Sequence, residues 1–334
     1  MAVTIKNVAK AANVSIATAS LILNQKEGAI RFSEATIQRV KEKALELGYV
    51  PNMSARKLRQ NENDGAALTL AVLWPIDTRV GLIGRLLNGI HQYTTEFDTV
   101  KINLLVRTMG DDGVREVKEL YAANLFNGAI LANTTVDDEA YIHQFPPSVP
   151  IVLFNRFSPI YPFVSVDNFG AAKKVAEHFV KNGHSSVVVL ASAISSQALE
   201  DRLAGFMDGL QGLDHVVVRC ECTEASGYVV VAKMLAAGQR PTGLISVWDQ
   251  TAMGALSALN DFGVKVPAEC EVSGFDNQVY SSFTIPKLST VNVPVEKMAF
   301  QAMKFLVQES MDPLNTEKNM MFGLDIIHRG TTKY

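Results

Sequence analysis

The stretch NFGAAKKVAEHFVKNGHSSVVVLAS, Asn168 to Ser192, joins an amphipathic helical pattern to a short apolar run. A continuous Val and Leu run has no solvent face, so it reads as a strand covered on both sides, as in parallel sheets with crossover helices. The same alternation extends outward in both directions. LTLAVLW, KINLLVR, GAILAN and PIVLF precede it, and HVVVRC, TGLISV and CEVSGF follow. About 265 residues of such alternation are too many for one sheet, which predicts two doubly wound lobes with a cleft between them.

Ahead of this α/β core lies a shorter segment with a different pattern. Ile5, Val8, Ala9 and Ala12 fall at helical spacing, and Asn13 then stands where a tight turn needs a residue tolerant of positive φ. Ser15 is a suitable N-cap for a second helix, IATASLILN, whose small residues permit close approach to another surface. A third helix starts at Ser33, is expected to bury Ile37, Val40, Ala44 and Leu47, and stops at Gly48. Two helices joined by a four-residue turn, with a support helix behind them, make a helix-turn-helix unit. After Pro51 the polar stretch NMSARKLRQNENDGAA reads as a linker.

Charge divides along the same boundary. Residues 1–61 carry ten Lys or Arg against four Glu, a net of +6, while the whole chain is −3, leaving −9 on the remainder. A basic head on an acidic body suits a polyanionic partner at one end only. No run approaches the length of a membrane span, and the N-terminus lacks a basic head followed by an apolar stretch, so the chain is expected to be cytoplasmic. Cys220, Cys222 and Cys270 lack zinc-ligand and redox spacing and are expected to be reduced. No phosphate loop, HExxH or nucleophile turn is present, so neither an enzyme nor a metal or cofactor site is expected.

TIKNVAKAANVSIATASLILN, SEATIQRVKEKALELGYVPNMSARKLR, SVDNFGAAKKVAEHFVKNGH, EDRLAGF, SVWDQTAMGALSAL, VPAECEVSGFDN, TIPKLSTV and HRGTTK together resemble the lactose-repressor (LacI/GalR) family of bacterial transcription regulators. The resemblance covers nearly the whole chain. It implies a helix-turn-helix head at 1–51, a hinge helix and linker at 52–66, and a periplasmic-binding-protein-like core at 67–334. The expected lobes are 67–163 with 293–321, and 164–292 with 322–334. A homodimer on a palindromic operator of double-stranded DNA, controlled by a small effector, follows from the same likeness. A solute-binding protein would share the core but would carry a signal peptide in place of the head.

By alignment with that family, Lys6, Ser15, Ile16, Ala17, Thr18, Ser20, Leu21 and Asn24 face DNA. Leu21 stands where family members often carry Arg, so a bidentate guanine contact is missing; Ile16, Ala17 and Leu21 suit thymine methyl groups instead. The connection NQKEGAIRFS is longer than the family's usual turn, and its Lys26 and Arg31 are placed to reach phosphates. Asn52, Ala55 and Leu58 match the hinge helix, with Leu58 at the position that wedges into the minor groove.

In the core, Asn155, Arg202, Trp248, Gln250 and Asp276 match cleft positions able to bind a polar effector, with Arg202 anchoring ligand oxygens and Trp248 offering a flat ring for stacking. The family's Asn-Pro-Phe-Phe segment is replaced by Val80, Gly81, Leu82 and Ile83. A sugar or sugar derivative is the first expectation and a nucleoside or purine the second, with a phosphocarrier protein as a third possible partner. Pairing between Arg202 and Asp276 is the competing structural role.

Overall fold

The computed structural model describes residues 5–23, 32–47, 67–75, 80–97, 101–122, 125–194, 196–311 and 319–333. The predicted roles of Asn24, Lys26, Arg31, Asn52, Ala55 and Leu58, and the stop at Gly48, lie outside these residues.

The head folds as three helices, α1 (Ile5–Ala11), α2 (Ile16–Leu23) and α3 (Glu34–Glu46). They close over a small core of Val8, Ala9, Ala12, Ala19, Ile22, Val40 and Ala44. Asn13 takes φ 52° in the turn, the left-handed conformation expected of it. The Ser15 hydroxyl accepts from the Thr18 N–H at 3.0 Å and caps α2, and Ser33 does the same for Thr36 at 3.3 Å on α3. From α3, Arg39 donates Nε to the Ala12 carbonyl at 3.0 Å and ties the end of α1 down. One expected core residue departs: Leu47 is exposed, because it sits in the turn beyond Glu46, where helical spacing no longer directs it inward.

The first lobe is built on β1 (Leu68–Pro75), β2 (Ile102–Met109), β3 (Gly128–Ala132), β4 (Ile151–Phe154), β5 (Phe163–Val166) and β11 (Asn319–Phe322). Its helices are α4 (Val80–Glu96), α5 (Glu119–Ala122), α6 (Val136–Gln144) and α11 (Val295–Met311). The second lobe holds β6 (Val187–Ser192), β7 (His215–Cys220), β8 (Gly243–Ser246), β9 (Glu271–Phe275), β10 (Ser289–Asn292) and β12 (Asp325–Ile327). Around it lie α7 (Asn168–Lys181), α8 (Gln197–Gly209), α9 (Glu224–Ala236) and α10 (Asp249–Asp261).

Strand order is β11-β5-β4-β3-β1-β2 in the first sheet and β12-β10-β9-β8-β6-β7 in the second. Every pairing is parallel except β10 with β12. Two doubly wound lobes are therefore what the strand and helix alternation predicted. Successive residues of one strand feed two cores: Leu70, Val72 and Trp74 point to one, Ala71 and Leu73 to the other. Each fully buried Val or Leu contributes roughly 1.5–3 kcal/mol. Helix pairs close tightly where glycine permits it. A Cβ on Gly254 of α10 would lie 1.9 Å from the Glu224 carbonyl oxygen of α9.

Two expectations are corrected. The KINLLVR and HVVVRC runs are not covered on both sides: Leu104, Val106, Val216 and Val217 are exposed, because β2 and β7 are edge strands. The lobe boundaries also move, since β5 ends at Val166 and β11 at Phe322, both in the first sheet. β5, β10, β11 and β12 were too short or too polar to stand out from the sequence.

Candidate functional site

Two regions carry unusual surface chemistry. On α2, Ala19 and Ile22 face the head core, whereas Ser15, Ile16 and Ala17 are exposed and Leu21 is half-buried. Lys6, on α1, is exposed as well. The hydroxyls of Ser15 and Thr18 bond to each other at 2.8 Å. The Ser20 side chain lies outside the described set.

The second region is the cleft, at the carboxyl ends of both parallel sheets, where ligands bind in open α/β folds. Four non-glycine residues there adopt positive φ: Asn133 (52°) after β3, Asn155 (58°) after β4, and Asp276 (104°) and Asn277 (50°) after β9. Backbone held in such conformations costs of order 1–3 kcal/mol per residue and clusters at functional sites. Of the twelve buried polar side-chain atoms without a hydrogen-bond partner among the described residues, six lie in or near these strand-end segments: Trp74 Nε1, Asn133 Nδ2, Thr134 Oγ1, Ser196 Oγ, Asp276 Oδ2 and Tyr280 OH. Each such atom is expensive to leave unmatched, so their gathering at strand ends of both lobes points to a binding surface.

Three of the predicted cleft residues stand in one hydrogen-bonded relay. Asn168, at the start of α7 where the chain crosses between lobes, donates Nδ2 to Asn155 Oδ1 at 3.5 Å and accepts from Arg202 Nε at 2.9 Å. Arg202 Nη2 reaches Asp276 Oδ1 at 2.9 Å, and Nη1 donates to the Val247 carbonyl at 2.9 Å. The guanidinium lies 3.8 Å from the centre of the Phe275 ring. The expected alternative role for this pair is thus present: Arg202 and Asp276 neutralise each other at 1% and 0% exposure. Asp276 Oδ2 is left without a partner among the described residues.

Sequence reasoning missed Arg85, which closes the relay from the first lobe. From α4 it donates Nη1 to the Asp276 carbonyl at 2.8 Å and Nη2 to the Val293 carbonyl at 2.9 Å, and it pairs with Glu296 through Nε and Nη2, both at 2.8 Å. Although burial opposes it, the Arg85 hydrogen bond holds the Glu296 carboxyl below its usual range. A second contact between the lobes runs from the Phe157 N–H to Gln197 Oε1 at 2.8 Å. Arg156, beside Asn155, pairs with Glu139 and donates to the Thr134 carbonyl at 2.8 Å. The asparagines following the strands carried a legible signal, as residues tolerant of positive φ at strand ends. Arg85 carried none, because its partners are about 200 residues away in sequence.

Trp248 departs from the expectation of an open stacking ring. It is 2% exposed, packed in the core shared by the lobes, and its indole N–H is donated to Gln250 Oε1 at 2.8 Å. Gln250 in turn donates to Glu224 Oε1 at 3.1 Å. In the replaced first-lobe segment, Leu82 is buried in the core and Gly81 lies beside the Gln278 side chain.

Beneath the cleft, Asp249 is wholly enclosed, and burial pushes its carboxyl up to about 8; the nearby Asp276 adds to this, while Thr290 Oγ1 (2.6 Å) and the Gln278 N–H (2.7 Å) donate to it and oppose the shift. Among the described residues, no group of three or more His, Cys, Asp or Glu is placed to hold a metal ion. No helix among them is long and apolar enough to cross a membrane.

Comparison with known proteins agrees with this arrangement. Residues 4–52 match the family model "Bacterial regulatory proteins, lacI family", and residues 176–332 match the periplasmic binding protein-like domain. The chain is 30% identical to the HTH-type transcriptional regulator GalR of Escherichia coli K12 over 311 residues, covering 90% of this chain and 87% of that protein. It is 26% identical to the probable repressor ExuR of Bacillus subtilis 168, over 99% of this chain and 98% of that one. The lac repressor dimer bound to operator and the anti-inducer ONPF superposes with a TM-score of 0.71 at 25% identity, over 99% of both chains. With a helix-turn-helix head, two parallel-sheet lobes and these relatives, the chain belongs to the LacI/GalR family of bacterial transcription regulators.

Proposed function

We propose that this protein is a cytoplasmic, DNA-binding transcriptional repressor that binds a palindromic operator as a homodimer and releases or grips it according to a small effector, a sugar or sugar derivative, held between the lobes. The observation that carries the effector reading is the set of partnerless buried polar atoms at the carboxyl ends of strands in both lobes. Donors (Trp74 Nε1, Asn133 Nδ2), an acceptor (Asp276 Oδ2) and hydroxyls able to do either (Thr134, Ser196, Tyr280) suit a polyhydroxylated molecule. Asn155, Arg202, Gln250 and Asp276 take the effector. A ligand spanning both lobes favours one lobe arrangement over another, which couples the cleft to the head.

The head (1–51) and hinge (52–66) supply the DNA contacts, with Lys6, Ser15, Ile16, Ala17, Thr18, Ser20, Leu21 and Asn24 at the major groove and Asn52, Ala55 and Leu58 at the operator centre. The core (67–334) supplies dimerisation. Val279, Phe283 and Ile285 are 72%, 76% and 95% exposed, an apolar cluster that supports self-association.

Selection of duplexes from a random pool, repeated in the presence of sugars and of nucleosides, tests the reading. Enrichment of a two-fold symmetric site, with affinity altered by a sugar, is expected. Enrichment of no sequence overturns the DNA-binding reading, and a site indifferent to every sugar overturns the effector assignment.

A further inference from the structure

We propose that Ile16 reads the C5 methyl group of one thymine in each operator half-site by van der Waals contact, replacing a hydrogen bond to a base edge. The inference rests on the DNA-binding reading above. α2 has no charged side chain from Ile16 to Leu23. The hydroxyls at its N-terminal end are partly engaged: Ser15 Oγ, just before the helix, caps the Thr18 N–H at 3.0 Å and shares a 2.8 Å bond with Thr18 Oγ1. Ala19 and Ile22 are buried in the head core, leaving Ile16 at 45% exposure, Ala17 exposed and Leu21 half-buried.

Ile16 is thus a large apolar side chain held open to solvent in a segment, residues 1–61, of net charge +6. The charge brings the head to a polyanion, and a branched apolar side chain at the front of α2 makes its most favourable contact there with an apolar target. On the floor of the DNA major groove that target is the thymine methyl, since the remaining base edges present donors and acceptors. Position within the helix selects among the apolar residues. The N-terminal residues of a recognition helix meet base edges. Ile16 is the first residue of α2, and Ala17 beside it is too short to reach as far. Leu21 lies more than a turn deeper into the helix and is partly covered.

The test uses the full chain and the operator recovered by random-duplex selection. Each half-site thymine is replaced singly by deoxyuridine, which differs only in lacking the C5 methyl. One position per half-site is expected to weaken binding about fourfold, or about sixteenfold when both halves are changed, the loss that burying one methyl accounts for. Ile16→Ala is expected to weaken binding to the thymine operator and to abolish the difference between thymine and deoxyuridine at that position. Ile16→Val, which keeps a branched apolar group, restores most of the difference. Unchanged affinity for every deoxyuridine operator, or an Ile16→Ala protein that still discriminates thymine from deoxyuridine, overturns the inference while leaving DNA binding intact. Failure to enrich any duplex overturns both. Because Ile16 is exposed, the head of Ile16→Ala is expected to unfold at the same temperature as the parent.

Discussion

The head and the cleft break opposite rules of burial. The head holds an apolar side chain, Ile16, out in water, whereas the cleft keeps polar atoms such as Asp276 Oδ2 and Asn133 Nδ2 inside without partners. A buried polar group without a partner is the informative exception in a folded protein, whereas a single exposed apolar side chain is common and gains meaning only from its place, here the first residue of α2. The contrast teaches that each region is shaped to the chemistry of what it meets: a charged, water-covered duplex with scattered methyl groups for one, a small molecule rich in hydroxyls for the other. The two exceptions also differ in cost. Exposure of Ile16 costs the fold little, while burial of the Asp276 carboxylate depends on its pairing with Arg202 in the relay.

Breaking that relay therefore has the largest effect. Arg202→Met removes the cation and leaves Asp276 buried and unpaired, and urea unfolding is expected to show a loss of roughly 3–5 kcal/mol. Adding Asp276→Asn to Arg202→Met recovers part of it; no recovery would mean that the pair does not act as a unit. Next in size is Ile22→Ala, 6% exposed in the head core, which costs roughly 2–5 kcal/mol. Calorimetry is expected to show loss of the head transition and of operator binding with the core transition in place.

Asp249 sharpens the comparison through pH. Its carboxyl titrates near 3.8 when unfolded and about 8 when folded, so the unfolded chain gives up this proton first. Stability then falls as pH rises from about 4 to about 8, with a slope of at most about 1.4 kcal/mol per unit from this one group. Asp249→Asn is expected to flatten that decline. The cleanest window is pH 7 to 8, because His184, held below its usual value by burial, contributes a slope of opposite sign below about 6.5. An unchanged slope in that window would place the proton elsewhere. Ser15→Ala removes the cap of α2 at a cost of about 1 kcal/mol to the head. Smallest of all, Ile16→Ala is expected to shift stability by less than about 0.5 kcal/mol. A larger destabilisation would make Ile16 part of the head core and erase the contrast.

Much of this was readable beforehand, for identifiable reasons. Val and Leu runs such as Val187–Leu190 are strands because nothing in them can face water, and Asn13 and Ser15 announced a turn and a cap by their side-chain chemistry. Arg202 and Asp276 were legible as charged residues in the family's cleft motifs. What was not legible depends on contacts distant in sequence. Arg85 finds its partners only after the chain has folded back, and Trp248 turns its ring into a core assembled from strands and helices of both lobes. Edge position was equally invisible: β2 and β8 read alike as apolar runs, yet one has Leu104 and Val106 in solvent and the other is wholly buried.

The placement of β11 and β12 has a further consequence. Only two residues separate them, yet β11 is the edge strand of the first sheet and β12 the edge strand of the second. Neither lobe is a continuous segment of the chain, and a single break in Gly323–Leu324 would not free one from the other. A stop codon shortly before Asn319 would strip an edge strand from both lobes at once, leaving β5 and β10 as new open edges able to pair with other chains. Premature termination there is expected to produce aggregates instead of a weakened regulator.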